Sequence, residues 1–198
     1  MNLEDIRENY KKFDDWKIEK LATEEADSLR PEVVDILKSE IKKRNLNHSL
    51  INSVDSLTKK ITDKDLNQYY EILKNHPCPK CKSKKQKINA TFVGQVISIF
   101  VITNYDKSIR IACSDCLDIM HKKANIKSLL LGWWGIPWGP INTIRSLIFN
   151  FNMKKYNRTE SQNEILVDFI IDNVGIMERA KTEPEKLTDF IIRINNTI

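Results

Sequence analysis

Cys78-Pro79-Lys80-Cys81, the β-rich runs Ile88-Asn89-Ala90-Thr91-Phe92-Val93 and Gln95-Val96-Ile97-Ser98-Ile99-Phe100-Val101-Ile102-Thr103, then Ile109-Arg110-Ile111-Ala112 entering Cys113-Ser114-Asp115-Cys116, form the stretch that decides the fold. Two residues between cysteines let both sulfurs point into one tight turn. Two such pairs supply the four thiolates of a closed tetrahedral Zn²⁺ site, which holds no open position for water and so stabilises rather than catalyses. The intervening runs are dense in β-branched and aromatic residues and read as strands. Asn104-Tyr105-Asp106-Lys107-Ser108 reads as the turn between them, and Gly94 as a bulge or bend. The 31 residues separating the pairs exceed the common spacing of about 15–20, so the strands must form a long hairpin. The metal ligands expected are Cys78, Cys81, Cys113 and Cys116, with structural Zn²⁺ as the cofactor.

Cys-Pro-x-Cys also occurs in dithiol oxidoreductases, where a strand precedes the motif and a helix follows it. Here the first pair follows a helical pattern and precedes a lysine-rich run opening a strand, which favours metal over redox chemistry or disulfides. Four thiolates on Zn²⁺ carry a formal −2, which gives Lys80, Lys82, Lys84, Lys85 and Lys87 an electrostatic reason to be nearby. His76 and His121 lie close enough in sequence to replace a thiolate, but with four cysteines already paired they read as surface or supporting residues. His48 lies in a polar turn.

The segment from Cys78 to Cys116 resembles a zinc ribbon over about 40 residues. Ribbons often carry glycine just after the first pair, where a positive φ helps; Lys82 stands there in this chain. Gly132-Trp133-Trp134-Gly135-Ile136-Pro137-Trp138-Gly139-Pro140 is similar to a segment of uncharacterised bacterial zinc-ribbon proteins. The resemblance implies a fold and a metal but no activity.

Working outward, the flanks read as helices, which makes the chain α+β: N-terminal helices over 1–75, a four-cysteine zinc ribbon with a long β hairpin over 76–120, a Trp-rich segment with an amphipathic helix over 121–160, and C-terminal helices over 161–198. Three or four short helices are expected in the first part. Pro31 suits a first helical turn, Lys42-Lys43-Arg44 a helix C-terminus, and Thr62 with Asp65 an N-cap. Ser161-x-x-Glu164 and Thr182-x-x-Glu185 have capping-box form and open two further helices with apolar stripes at Ile165, Leu166, Phe169, Ile170 and at Leu187, Phe190, Ile191, Ile194. At 198 residues, 41% hydrophobic and 30% charged, the chain can bury a core, and disordered or collagen-like classes are excluded.

Residues 128–144 are uncharged, lie between Lys127 and Arg145, and hold three of the four Trp and three of the five Gly. Proline and glycine interrupt the run, so a spanning helix is not expected. The first reading is core, with Trp133, Trp134 and Trp138 covering the hairpin while Gly132, Gly135 and Gly139 permit turns and close packing. The alternatives are a membrane interface, where Trp rings settle and Ile141, Ile144, Leu147, Ile148 and Phe151 form the apolar face of a helix lying on an anionic surface, or a surface docking another protein.

Net charge locates the polyanion-facing part. Residues 1–75 carry −2, residues 76–160 carry +10 and residues 161–198 carry −3, and Coulomb steering follows local charge. No Gly-rich phosphate loop, His-Glu-x-x-His or Gly-x-Ser-x-Gly is present, so a non-enzymatic scaffold or adaptor is expected, peripheral at a membrane through residues 128–155, with an unidentified protein partner. The acidic N-terminus lacks the basic head and apolar run of a secretory signal, so a cytoplasmic location is expected, with membrane association only through residues 128–155. The alternative is a nucleic-acid-binding ribbon in which Lys82, Lys84, Lys85, Lys87, Lys107 and Arg110 contact phosphates and Tyr105 or Phe92 stacks on bases.

Overall fold

The computed structural model describes residues 3–58, 61–100 and 102–196. It is α+β: helices α1 (Leu3–Lys12), α2 (Asp15–Lys20), α3 (Pro31–Lys43), α4 (Ser49–Thr58) and α5 (Asp63–Lys74) precede an antiparallel hairpin of β1 (Ile88–Ile99) and β2 (Ile102–Cys113). Then come α6 (Ser114–Leu131), α7 (Trp138–Met153), α8 (Glu164–Asp172), α9 (Val174–Ala180) and α10 (Pro184–Asn196). The chain divides into two compact units, Met1–Ile72 with Asp168–Thr188, and Leu73–Val167 with Asp189–Ile198.

The first unit has an aliphatic core built on Ile18, Leu37, Ile41, Leu50 and Val54. Among the described residues five α-helices precede the hairpin where three or four were expected. Pro31 opens α3, with Lys42 and Lys43 in its last turn. Thr62 and Asp65 bond reciprocally at the start of α5, the Asp65 N–H donating to Thr62 Oγ1 and the Thr62 hydroxyl to the carboxylate. Among the described residues three helices rather than the expected two follow residue 161: after α8 ends at Asp172, Asn173 caps a further short helix, α9, that was not expected from the sequence. The caps differ too. Asn163, not Ser161, accepts from the Leu166 N–H ahead of α8, and the Thr182 hydroxyl donates back to the Arg179 carbonyl instead of capping α10.

The second unit is organised on the hairpin. Register pairs Ile88 with Cys113 and Ile99 with Ile102, so the reversal falls near residue 100, where Phe100 adopts φ 54°. Residues 104–108 continue β2 instead of forming the turn, and Gly94 pairs with Lys107 in regular register rather than marking a bulge. The expected strand over 95–103 included Val101, which lies outside the described residues. A two-stranded sheet has two open edges, each a row of unpaired backbone groups. Side chains satisfy part of each. On β1 the Asn150 carboxamide of α7 accepts from the Gly94 N–H and donates to its carbonyl, both at 2.7 Å, Ser128 Oγ of α6 accepts from the Val96 N–H, and Asn163 donates to the Ala90 carbonyl. On β2 Asn195 of α10 makes the same two-pronged contact with Ile111, at 2.9 and 2.8 Å.

The α6–α7 pair inverts the usual polarity of a water-facing helix. Beyond Ser114 and Cys116 at the metal end of α6, the buried positions are Leu117, His121, Ala124 and Ser128 on α6 and Gly139, Thr143, Ser146 and Asn150 on α7, spaced by four, three and four. Small and polar residues therefore face the hairpin, while Ile126, Leu129 and Leu130 on α6 and Ile141, Ile144 and Ile148 on α7 face outward. Glycines in the connection serve close approach: none has positive φ, and a Cβ on Gly139 would come within 3.1 Å of the Trp133 backbone and of Ser98 Oγ.

Candidate metal centre and apolar tip

The four cysteines converge. One ligand atom from each of Cys78, Cys81, Cys113 and Cys116 lies within 4.8 Å of all the others, and the Cys81 and Cys113 sulfurs are 3.7 Å apart. A tetrahedron with metal–sulfur bonds of about 2.3 Å has edges of about 3.8 Å, so the spacing fits a single ion held by four thiolates. None of the four is in a disulfide. Cys78, Cys113 and Cys116 are buried with Ala112 and Leu117, and Cys81 is exposed.

Two different local structures supply the pairs. Cys78 and Cys81 sit on a tight turn closed by the Lys82 N–H donating to the Cys78 carbonyl at 2.7 Å and the Cys78 N–H donating to the Ser83 carbonyl at 2.9 Å. Lys82 takes φ 59° there, so a β-carbon residue occupies the left-handed position the turn requires, at a cost of about 1–2 kcal/mol. The second pair is the end of a strand and the first turn of a helix: Cys113 is the last residue of β2 and precedes α6, and Cys116 lies in that helix. The strand-then-helix setting associated with redox thiols thus belongs to the second pair. Burial, however, raises both Cys113 and Cys116 above the ordinary thiol range. Burial also pushes Cys78 up, but N–H groups from Cys113, Cys81 and Lys80 outweigh it and bring that thiol down to about 7. Four sulfurs this close cannot all ionise in a buried pocket without a cation among them, and a metal ion is the partner that geometry suits.

The histidines stand elsewhere. Neither belongs to the cysteine group, and both are buried rather than on the surface. His121 lies between α6 and the hairpin, its Nε2 3.4 Å from Thr91 Oγ1. Burial, with Lys154 adding to it, holds the imidazole below the ordinary histidine range, against the opposing pull of Asp118 and the amides of Asn157 and Asn150. A histidine kept neutral in the fold takes up a proton only after unfolding near pH 6.5, so its stabilising contribution is complete above that value and is lost as pH falls below it. Melting temperature should therefore drop more steeply between pH 6.5 and 5 in the wild type than in His121→Gln; equal slopes would remove His121 from the acid response.

The tryptophans expected as core are exposed. Trp133, Trp134 and Trp138 occupy the α6–α7 connection and its edge, and Trp134 is 70% exposed. The connection sits beside the hairpin reversal: Ser98 Oγ donates to the Gly132 carbonyl at 2.8 Å, and Gly135 packs on Thr103 and Ser98. Phe100 (86% exposed) and Ile136 (79%) thus join one apolar tip made by two adjacent turns. The reading as core fails because the helix positions against the hairpin are already filled, by Ser128 and Asn150 hydrogen-bonded to β1 and by Ala124, Gly139, Thr143 and Ser146 packed beside them. Among the described residues no helix is long and apolar enough to cross a membrane.

Cations proposed to meet phosphates do not share one face. Successive β residues alternate, which sets Lys107 and Arg110 on opposite faces of the hairpin. Lys107 lies over the rings of Tyr105 and Phe149, and Arg110 is buried, donating to the Ile109 and Ile194 carbonyls. Lys82, Lys84, Lys85 and Lys87 are exposed ahead of β1. No family model, curated protein or solved structure matches this chain.

Proposed function

We propose that the second unit is a zinc-organised, non-enzymatic adaptor module that seats on an anionic membrane surface through the tip formed by the hairpin reversal and the α6–α7 connection. The exposed tip carries this reading. A contiguous apolar surface is costly in water at about 25 cal/mol per Å², and a helix pair with small and polar residues inside and large apolar residues outside is built for an apolar surrounding. Tryptophan at such a boundary places its ring among acyl chains and its N–H toward polar groups. Charge agrees, since Lys122, Lys123 and Arg145 are exposed on the two helices behind the tip and attract anionic headgroups. The four-thiolate centre fixes the base of the hairpin and the start of α6, so both turns of the tip stand on rigid supports. Zn²⁺ suits four thiolates in a closed site better than a harder cation does.

Vesicle flotation tests the reading. The wild type should float with phosphatidylglycerol-containing vesicles and show a blue shift in tryptophan emission only when lipid is added. Phe100→Ser/Trp134→Ser, which removes two anchors worth about 1.5–3 kcal/mol each, should weaken binding by at least a hundredfold. Absence of both flotation and blue shift at low salt sinks it, and binding to single-stranded nucleic acid that collapses as salt rises would put the exposed lysine run in its place.

A further inference from the structure

Behind the tip, a cavity of about 510 Å³ opens against one face of the hairpin, a volume ordinary for small-ligand sites. Register builds its floor: Val93 and Gln95 of β1 stand opposite Ser108 and Asp106 of β2, on the face that Arg110 shares. Met120, Lys123, Ala124 and Lys127 of α6 follow one another at helical spacing along one wall, Ile192 and Asn195 of α10 contribute to the lining, and Lys80, held inside the first cysteine turn, completes it.

Charge and polarity in this cavity are matched to one kind of ligand. Lys80, Arg110, Lys123 and Lys127 against the single carboxylate of Asp106 leave the lining at +3. Among the described residues no salt bridge engages Lys80, Lys123 or Lys127. Asp106 offsets one of these four charges; the remaining excess repels unless a further anion joins it, and a dianion offsets more of that repulsion than a second carboxylate can. Val93, Met120, Ala124 and Ile192 form an apolar patch, so the anion belongs to a molecule with an apolar part. Gln95, Asp106 and Ser108 can take a hydroxyl between the two.

The geometry points to a binding site for a phosphate monoester carried on an apolar group. Such chemistry comes either from a phospholipid headgroup or from a soluble phosphate ester. Placement favours the lipid, and this choice of source alone rests on the membrane reading above: along α6, at 1.5 Å per residue, Lys127 and Lys123 stand about 6 and 12 Å behind Leu131 at the tip. A tip buried about 5–10 Å into the headgroup and acyl boundary brings those ammonium groups to the level of the phosphates.

Calorimetric titration of the metal-loaded 198-residue chain with dihexanoyl phosphatidic acid, kept below its micelle concentration, tests the site without vesicles. Saturable one-to-one binding is expected, at least tenfold weaker for dihexanoyl phosphatidylcholine and at least tenfold weaker in Lys123→Gln/Lys127→Gln. Lys123 is exposed and Lys127 half-buried, so that variant should melt like the wild type. Phe100→Ser/Trp134→Ser should keep the binding, which separates failure of this site from failure of the membrane tip. Glycerol 3-phosphate or inorganic phosphate binding as tightly as the short-chain lipid would keep the phosphate site and overturn the lipid source. No saturable binding of any of the three phosphates, or undiminished binding by the double glutamine variant, overturns the site itself.

Discussion

Cys113→Ser is expected to lose bound metal and abolish the cooperative unfolding transition of the unit that contains the hairpin. Cys113 ends β2, leads into α6 and offers a sulfur 3.7 Å from that of Cys81, so one atom ties the turn at 78–81 to the strand and the helix. The apolar cluster around these sulfurs is small: its buried members are Cys78, Ala112, Cys113, Cys116 and Leu117. Three of them are the cysteines themselves, which leaves little hydrophobic burial to replace a missing ion. Structural zinc sites of this donor type contribute about 10–16 kcal/mol of apparent binding energy, comparable with or larger than the whole net stability of about 5–15 kcal/mol typical of a domain. Metal analysis should fall from one ion per chain to well below one, and a chelator should reproduce the effect in the wild type, entering from the side of exposed Cys81. Unchanged metal content and an unchanged melt in the variant would dismantle the proposed architecture.

Asn150→Leu should be the most damaging substitution outside the cysteines, at about 3–5 kcal/mol. The side chain is fully buried, and its carboxamide makes three short bonds, two to the backbone of Gly94 and one to Asn125 Oδ1 at 2.6 Å. Leucine matches its size but offers neither donor nor acceptor, so the buried Gly94 N–H and carbonyl lose their partners on the outer edge of β1. Each such orphan costs about 1–3 kcal/mol. The residue is a stand-in for a third strand at that point of the sheet. Urea titration should show the midpoint of the hairpin unit shifted strongly downward, while Asn195→Leu, whose equivalent clamp on Ile111 is only half-buried, should cost less. A loss below about 1 kcal/mol at Asn150 would mean that water or rearranged neighbours satisfy Gly94, and the clamp would not be structural.

The same residues show where reading a sequence succeeds and where it fails. The paired cysteines were legible because a metal-binding turn is local: Cys-x-x-Cys brings two sulfurs together whatever surrounds it. The need for positive φ just after the first pair was legible for the same reason, and Lys82 meets it. Helix α5 with its Thr62 and Asp65 cap, and the stripes of α8 and α10, followed from periodicity. The hairpin reversal did not. Residues 104–108 carry the polar composition of a turn, yet they lie within β2, where Asp106 and Ser108 line the cavity; Phe100 has the aromatic character of a strand residue, yet the chain leaves β1 there with φ 54°. Joining the cysteine pairs brings Ile88 beside Cys113, and the midpoint of that span falls just after residue 100. The reversal is thus placed by closure of the span and not by local propensity.

Chain order alone determined that the middle of this protein is a β hairpin bracketed by two thiol pairs and flanked by helices, since each of those features depends on neighbours a few positions apart. Only the tertiary structure decided which way the α6–α7 helices face. Their spacing shows one apolar and one polar side, but the backbone edges of a two-stranded sheet demand hydrogen-bond partners, and Asn150 and Ser128 could meet that demand only by turning inward, which sends Ile126, Ile141, Ile144 and Ile148 outward.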